Sequence, residues 1–334
     1  MRRLAWLILV LLVMWSAWWA AASSGVQHLL TTWLDNRRDL GWQVEVAEIS
    51  KHGFPLFLRA RLRDVSVADP ATGLGVDAPQ LDLTGAVYWP GYMSVKLPDA
   101  PLHIMTPVGH FTLQATDAQA DLRLRPSASL QLQSLSAVSE AWRIGSSDGS
   151  ILSAEALNIA ATQDNASPET YQIDVNANNL TPGTLPRALL SLPAEWPASF
   201  DVSTADLSVD FDMPWDRSAL TERHPQPRAV TLNKIEASWG ELSLLGSGDL
   251  SIDPSGIPTG TISVTVTNWR EIITLVDASD ALPNEQRLQM EILLGALSNL
   301  GGSQDDLTLT LSMHDGDMLL GAIRLGPVPR LIFQ

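Results

Sequence analysis

The sequence predicts a mainly β protein, in which an apolar N-terminal helix precedes extended, curved and mostly antiparallel sheet structure. Three observations support this fold class. After Trp42, apolar and polar residues alternate over most of the chain, turn residues separate the alternating segments, and few segments have helical spacing. Alternation with a period of two is typical of strands with one apolar and one solvated face. Consecutive strands joined by short turns favour antiparallel pairing.

The first segment is an apolar stretch of 19 residues that begins at Leu4 and ends at Ala22, directly after Arg2 and Arg3. A helix of this length spans about 28 Å, close to the hydrocarbon thickness of a bilayer. Residues 1–23 are therefore interpreted as a transmembrane anchor or a signal peptide. The run exceeds the usual signal-peptide core, and three tryptophans lie at its outer end, which favours an uncleaved single-pass anchor. The basic residues then stay in the cytoplasm and the body is exported.

The charge balance excludes some partners. The chain has 21 Lys and Arg against 37 Asp and Glu, a net charge of -16. Without residues 1–22 two arginines are lost, and 19 minus 37 gives -18. An acidic surface argues against nucleic-acid binding, which needs basic patches. The absence of cysteine excludes disulfides, thiolate metal sites and cysteine nucleophiles.

The body is divided into two β-rich lobes, residues 24–190 and residues 191–334, the second with short helices. A threonine-capped helix is predicted from Thr181, and two more are predicted from Asn268 and from Pro283. Asp315-Gly316 between alternating segments predicts a tight hairpin. The predicted strands include the pairs or runs Leu81/Leu83, Leu122/Leu124, Leu130/Leu132, Leu207/Val209/Phe211/Met213, Ile262/Val264/Val266 and Leu307/Leu309/Leu311/Met313.

Motifs for catalysis are lacking in the sequence. No HExxH pair, Gly-x-Ser-x-Gly elbow or Walker A pattern is present, and the six histidines are scattered. Asp210 and Asp212 lie on the polar face of their predicted strand, where a solvated acidic surface is favoured over weak Ca²⁺ binding. We therefore expect a non-enzymatic protein with no catalytic residues, no cofactor and no metal.

Several residues together resemble a known family. They are Gly41-Trp42, Gly53-Phe54-Pro55, Gly246-x-Gly248, Gly256-Ile257-Pro258-x-Gly260 and the C-terminal His314-Asp315-Gly316, Leu320-Gly321 and Leu325-Gly326-Pro327-x-Pro329. With the N-terminal apolar segment, this combination resembles the domain-of-unknown-function 2125 family, which is similar to the AsmA-like bacterial envelope proteins. The resemblance implies an inner-membrane anchor, a periplasmic β-rich body and a role in envelope biogenesis. The AsmA-like proteins are linked to outer-membrane assembly and to phospholipid movement along a hydrophobic groove.

The apolar faces of the strands are the candidate functional feature. Few helices are available to cover a long sheet, and an uncovered face becomes a groove for acyl chains. A sheet that folds on itself would instead close a dry core, and the protein would then be a structural or interaction module of the envelope without cargo. In the first case phospholipid is the expected ligand, and in either case envelope proteins are possible partners. The predicted groove lining is Leu207, Val209, Phe211, Ile262, Val264 and Val266.

Overall fold

The computed structural model describes residues 2–87, 89–189, 191–193, 196–220, 224–271, 295, 306–321 and 323–333. Two α-helices lie in this part of the chain, α1 (Arg2–Asp39) and α2 (Thr184–Leu189), with a 3-10 helix at Arg217–Leu220. All twenty strands belong to one sheet. The strands are β1 (Gln43–His52), β2 (Phe57–Asp69), β3 (Leu74–Ala86), β4 (Trp89–Lys96), β5 (Leu102–Thr106), β6 (Gly109–Ala115), β7 (Gln119–Leu124), β8 (Leu132–Ser139), β9 (Trp142–Ser146), β10 (Gly149–Ala154), β11 (Ala156–Gln163), β12 (Thr170–Asn178), β13 (Thr181–Pro182), β14 (Val202–Phe211), β15 (Pro227–Trp239), β16 (Leu242–Ile252), β17 (Pro258–Thr267), β18 (Asp306–His314), β19 (Asp317–Leu320) and β20 (Ile323–Pro327).

The sheet is a single antiparallel meander whose first half consists of long, interrupted strands. Both β4 and β5 pair with β3, one along each half of it. The same relationship continues outward, since β7 pairs with β4 while β6 pairs with β5, and β8 and β9 then extend the two rows. The interrupted strands are the pairs β4 and β5, β6 and β7, β8 and β9, β10 and β11, and β12 and β13. Backbone hydrogen bonds such as Leu97 N–H to Ala118 O, at 2.9 Å, join neighbouring strands at the interruptions. The described strands therefore form one large open antiparallel sheet, which confirms the predicted mainly β class.

The interruptions have local causes in the sequence. Pro98 and Pro101 between β4 and β5 lack the N–H that a ladder needs. Asp117 and Asn179 adopt positive φ angles of 47° and 50°, which short polar side chains tolerate better than most. At Pro98, Pro101 and Asp117 the strand stops and then resumes against the same pair of neighbouring strands, so the order of the sheet is kept.

Helix α1 lies along the beginning of the sheet. Its residue Leu30 packs against the core cluster of β1 to β3 and β5, which contains Ala60, Leu62, Val65, Ala78 and Leu102. The helix continues well beyond the apolar segment and ends at Asp39. Among the described residues, no helix combines the length and apolarity needed to cross a bilayer. The predicted transmembrane anchor is therefore not confirmed.

The smaller helices differ from the prediction. Thr181 and Pro182 lie in β13, where Thr181 pairs with Ser153, and the helix α2 begins at Thr184 instead. The predicted threonine cap at Thr181 is thus wrong, because that residue is held in the sheet ladder. Of the helix predicted from Asn268, Arg270 and Glu271 are helical. Its remainder and nearly all of the helix predicted from Pro283 lie outside the described residues. The division into lobes at residue 190 stays a prediction, and β12 and β14 pair directly across it.

Candidate functional site: an apolar floor on the sheet

One face of the sheet carries a continuous row of apolar residues. Each member lies directly opposite the next in the strand register, from β3 through β4, β7, β8, β11, β12, β14, β15, β16 and β17 to β18. Facing residues of paired strands point to the same side of a sheet. The row consists of Leu83, Val95, Ala120, Ala137, Ile159, Val175, Ala205, Ile235, Gly246, Val264 and Leu309.

A second row runs beside the first on the same face, two residues away along most strands. The register of β14 and β15 slips by a bulge at this point, which places both Leu232 and Ile235 on the apolar side. We call the two rows the apolar floor. The second row consists of Gly85, Met93, Leu122, Leu135, Ala161, Ile173, Leu207, Leu232, Gly248, Ile262 and Leu311.

The apolar floor is long and incompletely covered. At a strand spacing of about 4.8 Å, the rows extend about 48 Å across the sheet. Their members are of intermediate exposure, apart from Gly246, which is buried, and Met93, which is 40% exposed. The apolar floor is therefore only partly buried by the described residues.

An aromatic cluster closes the floor at one end of the strands. The ring of Phe211 contacts those of Tyr171, Trp215 and Phe333, with centroids 5.8, 5.6 and 6.2 Å apart. Phe333 reaches this place because Gln226 bonds its backbone at both the N–H and the carbonyl oxygen. We call these four residues the Phe211 cluster. It forms a boundary to the floor in which Tyr171 and Phe211 are buried, 2% and 8% exposed, whereas Phe333 is 49% exposed.

A second aromatic boundary lies at the opposite end of the same strands. The ring of Trp239 stacks on Phe200 at 4.7 Å and meets Trp196 edge-on at 5.7 Å. The indole N–H of Trp239 donates to the carbonyl oxygen of Pro197 at 2.8 Å. We call Trp196, Phe200 and Trp239 the Trp239 cluster. Nearby, Trp269 is 1% exposed and packs with Val266 and Leu307.

The six residues predicted to line a groove divide between the floor and its boundaries. Leu207, Ile262 and Val264 are half-buried members of the apolar floor. Val209 and Phe211 are buried beside Tyr171. Val266 is buried at the other boundary with Trp269. All six lie on one face of the sheet. Val209, Phe211 and Val266 are buried in the boundaries of the floor, whereas the prediction made them part of an accessible lining.

The opposite face of the sheet is polar. Between the two floor rows, the alternate residues include Asp121, Asp174, Asp206 and Lys234, and a depression of about 250 Å³ lies beside the last three. Asn233 donates to Asp206 at 2.9 Å, and Gln172 donates to the same carboxylate. Both donors bind Oδ1 of Asp206, so the depression has the character of a hydrogen-bonded polar surface.

Asp210 and Asp212, the other acidic residues considered in the sequence, have different partners from Asp206 and from each other. The carboxylate of Asp210 accepts from the Thr170 hydroxyl at 2.6 Å, whereas that of Asp212 pairs with Arg228 at 3.1 Å. In the described part of the chain, no three His, Asp or Glu side chains come together as potential metal ligands. The geometry of the described residues offers an extended apolar surface and no assembled set of reactive side chains.

Sequence reasoning missed much of the floor. Ile159, Val175 and Ile235 are central members, but only the register shows that they align with Leu83 and Leu309. The aromatic boundaries were also missed. The abundance of tryptophan, 12 in the chain, was the available signal, but it carries no information about position.

Comparison with known proteins gives one result for nearly the whole chain. The family model of DUF2125, described as an uncharacterized protein conserved in bacteria, matches residues 19–329. No curated protein matches the sequence.

Proposed function

The chain belongs to the DUF2125 family of bacterial proteins, and we propose that it is a non-enzymatic envelope protein that holds lipid acyl chains on its apolar floor. The observation that carries this proposal is the uninterrupted, half-exposed apolar register from Leu83 to Leu309. Water-exposed apolar surface is costly, at roughly 25 cal/mol per Å². An apolar surface of this extent that the described residues cover only in part, at Leu83 and beside the aromatic clusters, is typical of a binding site.

The chemistry of the floor favours acyl chains over polar ligands. Its members are Gly, Ala, Val, Leu, Ile and Met, which offer no side-chain hydrogen bonds. An acyl chain in one bilayer leaflet is about 15 Å long, half the hydrocarbon thickness, so the floor exceeds its length about threefold. Each buried methylene contributes about 0.8 kcal/mol. Affinity therefore comes from the chains, and discrimination between headgroups should be weak.

We place the protein at the inner membrane of a bacterium, with its N-terminus in the cytoplasm and its sheet in the periplasm. Arg2 and Arg3 precede the apolar segment, as the positive-inside rule requires. Within α1, the side chains of Leu11, Leu12, Val13 and Met14 are 57–65% exposed. Exposed apolar side chains of this kind are solvated more favourably by lipid than by water.

Two substitutions on adjacent residues test lipid binding. Ile159→Glu places a carboxylate on the apolar floor, whereas Asn158→Glu places one on the exposed polar face of the same strand. Full-length protein is purified, its bound lipids are quantified by mass spectrometry, and uptake of a fluorescent phospholipid is measured. We expect Ile159→Glu to lower both quantities several-fold and Asn158→Glu to retain them, because desolvating a carboxylate is unfavourable. Absence of lipid from the wild-type protein, or equal binding by both variants, would contradict the proposal.

The free edge of the sheet supports a second candidate function, an interaction module of the envelope. In the described residues β20 pairs only with β19, and Ile323 and Leu325 are 50% and 49% exposed. Exposed edge strands can accept a strand from another chain. Site-specific photocrosslinking from position 325 in intact cells tests this function. A single protein crosslinked at 325, together with an absence of bound lipid, would favour the interaction module over lipid binding.

A further inference from the structure

The tip of the β1–β2 hairpin is an exposed apolar surface. Phe54, Leu56 and Phe57 are 56%, 51% and 40% exposed, although all three are large apolar residues. They are separated by only Pro55, so the exposed groups form one continuous tip. A soluble surface rarely concentrates such residues on a single turn without a binding role.

The tip is fixed to helix α1. The indole N–H of Trp15 donates to the carbonyl oxygen of Pro55, and that of Trp19 donates to the carbonyl oxygen of Phe57, both at 2.9 Å. The Trp19 ring also meets the Phe54 ring edge-on at 5.4 Å. These contacts place the tip at the level of residues 15–19, beside Trp18, which is 58% exposed. The exposed helix segment and the tip therefore form one composite apolar surface.

The base of the tip is basic, in contrast to the rest of the chain. Residues 49–63 contain four Lys and Arg and no Asp or Glu, in a protein with a net charge of -16. Arg61 pairs with Asp82 and Arg63 with Glu48, whereas among the described residues Lys51 and Arg59 form no ion pair. The Arg59 guanidinium lies 5.6 Å from the centre of the Phe57 ring. Apolar residues flanked by free cations match the acyl boundary and the anionic headgroups of a bilayer.

We propose that this composite surface seats in the interfacial layer of an anionic phospholipid bilayer, with the hairpin tip below the headgroups and Lys51 and Arg59 among them. The inference rests on the membrane attachment proposed above and extends it from the helix to the sheet. It also gives the floor an orientation. Leu58 directly follows the tip and lies opposite Gly85, the first member of the second floor row. A lipid leaving the bilayer at the tip would meet the beginning of the apolar floor.

Depth-dependent fluorescence tests the seating of the tip. The chain lacks cysteine, so Leu56→Cys and Val108→Cys each provide one labelling site for the environment-sensitive dye NBD. Val108, at the β5–β6 turn, is 87% exposed and lies at the opposite end of the strands. Full-length protein is reconstituted in phosphatidylethanolamine–phosphatidylglycerol vesicles that contain a doxyl-labelled phospholipid. We expect a blue-shifted, quenched emission at position 56 and a water-like, unquenched emission at position 108.

Charge reversal tests the contribution of the cations. The pair Lys51→Glu and Arg59→Glu should reduce quenching at position 56 in phosphatidylglycerol vesicles and leave it unchanged in phosphatidylcholine vesicles. The pair Arg143→Glu and Arg217→Glu changes the net charge equally at exposed positions away from the tip and should have no effect.

The two proposals fail separately. Water-like emission at position 56 from vesicle-bound protein would overturn the seating of the tip, whatever lipid the purified protein contains. Quenched emission at position 56 from a protein that binds no lipid in solution would support the seating and contradict the lipid-binding floor.

Discussion

The hydroxyl of Tyr171 donates to the backbone carbonyl oxygen of Leu132 at 3.0 Å and so reaches from β12 past β11 to the start of β8. The hydroxyl oxygen of Tyr171 in turn accepts the backbone N–H of Trp215 at 3.3 Å. The Tyr171 hydroxyl therefore links β12 to the start of β8 and to the segment that contains Trp215, within the Phe211 cluster. Because Tyr171 is 2% exposed, water cannot replace either bond.

Tyr171→Phe should destabilise the protein by about 1–3 kcal/mol, since the Leu132 carbonyl oxygen and the Trp215 N–H both lose their partner. Tyr92→Phe is the matched control, because Tyr92 is 39% exposed and its hydroxyl lies 3.5 Å from Asp121. The control should change stability by less than about 0.5 kcal/mol. Urea unfolding of the two variants measures the difference. Equal stability of the two would show that the Tyr171 hydroxyl does not hold the boundary.

Tyr171 should also make the stability of the protein depend on alkaline pH. Burial raises the pKa of Tyr171 above its ordinary value of 10. A group whose folded pKa is raised contributes stability below its unfolded pKa, and that contribution is lost as the pH rises through the folded value. Absorbance titration of the folded protein should therefore show a tyrosine that ionises above pH 10 and that disappears from the titration in Tyr171→Phe.

The ion pair between Arg61 and Asp82 should instead lose its stabilising effect at acid pH. The bidentate hydrogen bond from Arg61, followed by its charge, lowers the pKa of Asp82 below the ordinary value. Asp82 thus stabilises the fold above its unfolded pKa of about 3.9, and this stabilisation is lost as the pH falls toward the lowered folded pKa. Urea midpoints at pH 7 and pH 3 should differ less for Asp82→Asn than for the wild type. Glu45→Gln, at an exposed position on β1, should keep the wild-type difference.

Two glycines of the floor should respond differently to alanine. A Cβ at Gly248 would lie 2.7 Å from the Cα of Ile262 and closer still to the Thr261 carbonyl oxygen. Gly248→Ala should therefore cost about 1–3 kcal/mol, because the backbone must shift. At Gly246 the nearest atom, the Cβ of Ile235, is at 3.7 Å, an ordinary contact. Gly246→Ala should leave stability unchanged within about 0.5 kcal/mol. Similar unfolding midpoints would contradict the close approach of β16 and β17 at Gly248.

The tolerance at Gly246 offers a way to fill the floor without adding charge. Gly246→Leu should reduce the amount of bound lipid, because it adds a large side chain to the first row. Ser247→Leu adds the same side chain to the opposite, exposed face. It should leave lipid binding unchanged, as measured by the mass spectrometry and fluorescent uptake described above. Unchanged lipid binding by Gly246→Leu would place the ligand away from this part of the floor.

The sequence alone determined the local properties of the sheet. Period-two alternation in Leu207, Val209 and Phe211 correctly predicts a strand and the face on which these side chains lie, since neighbouring residues of a strand point to opposite sides. The Asp315-Gly316 turn was likewise predictable. Both residues have positive φ angles, 52° and 82°, and His314 pairs with Asp317 around them.

Only the tertiary structure decided which of these faces combine. The alignment of Leu83 with Leu309 depends on a chain of ten strand registers, each fixed by a hydrogen-bond ladder between segments that alternation does not relate. The contact of Phe333 with Phe211 joins residues that are far apart in the sequence, and it makes Phe211 a wall of the floor. Alternation predicts an apolar side for every strand. Whether that side is buried or half-exposed depends on what packs against it, which is a property of the whole fold.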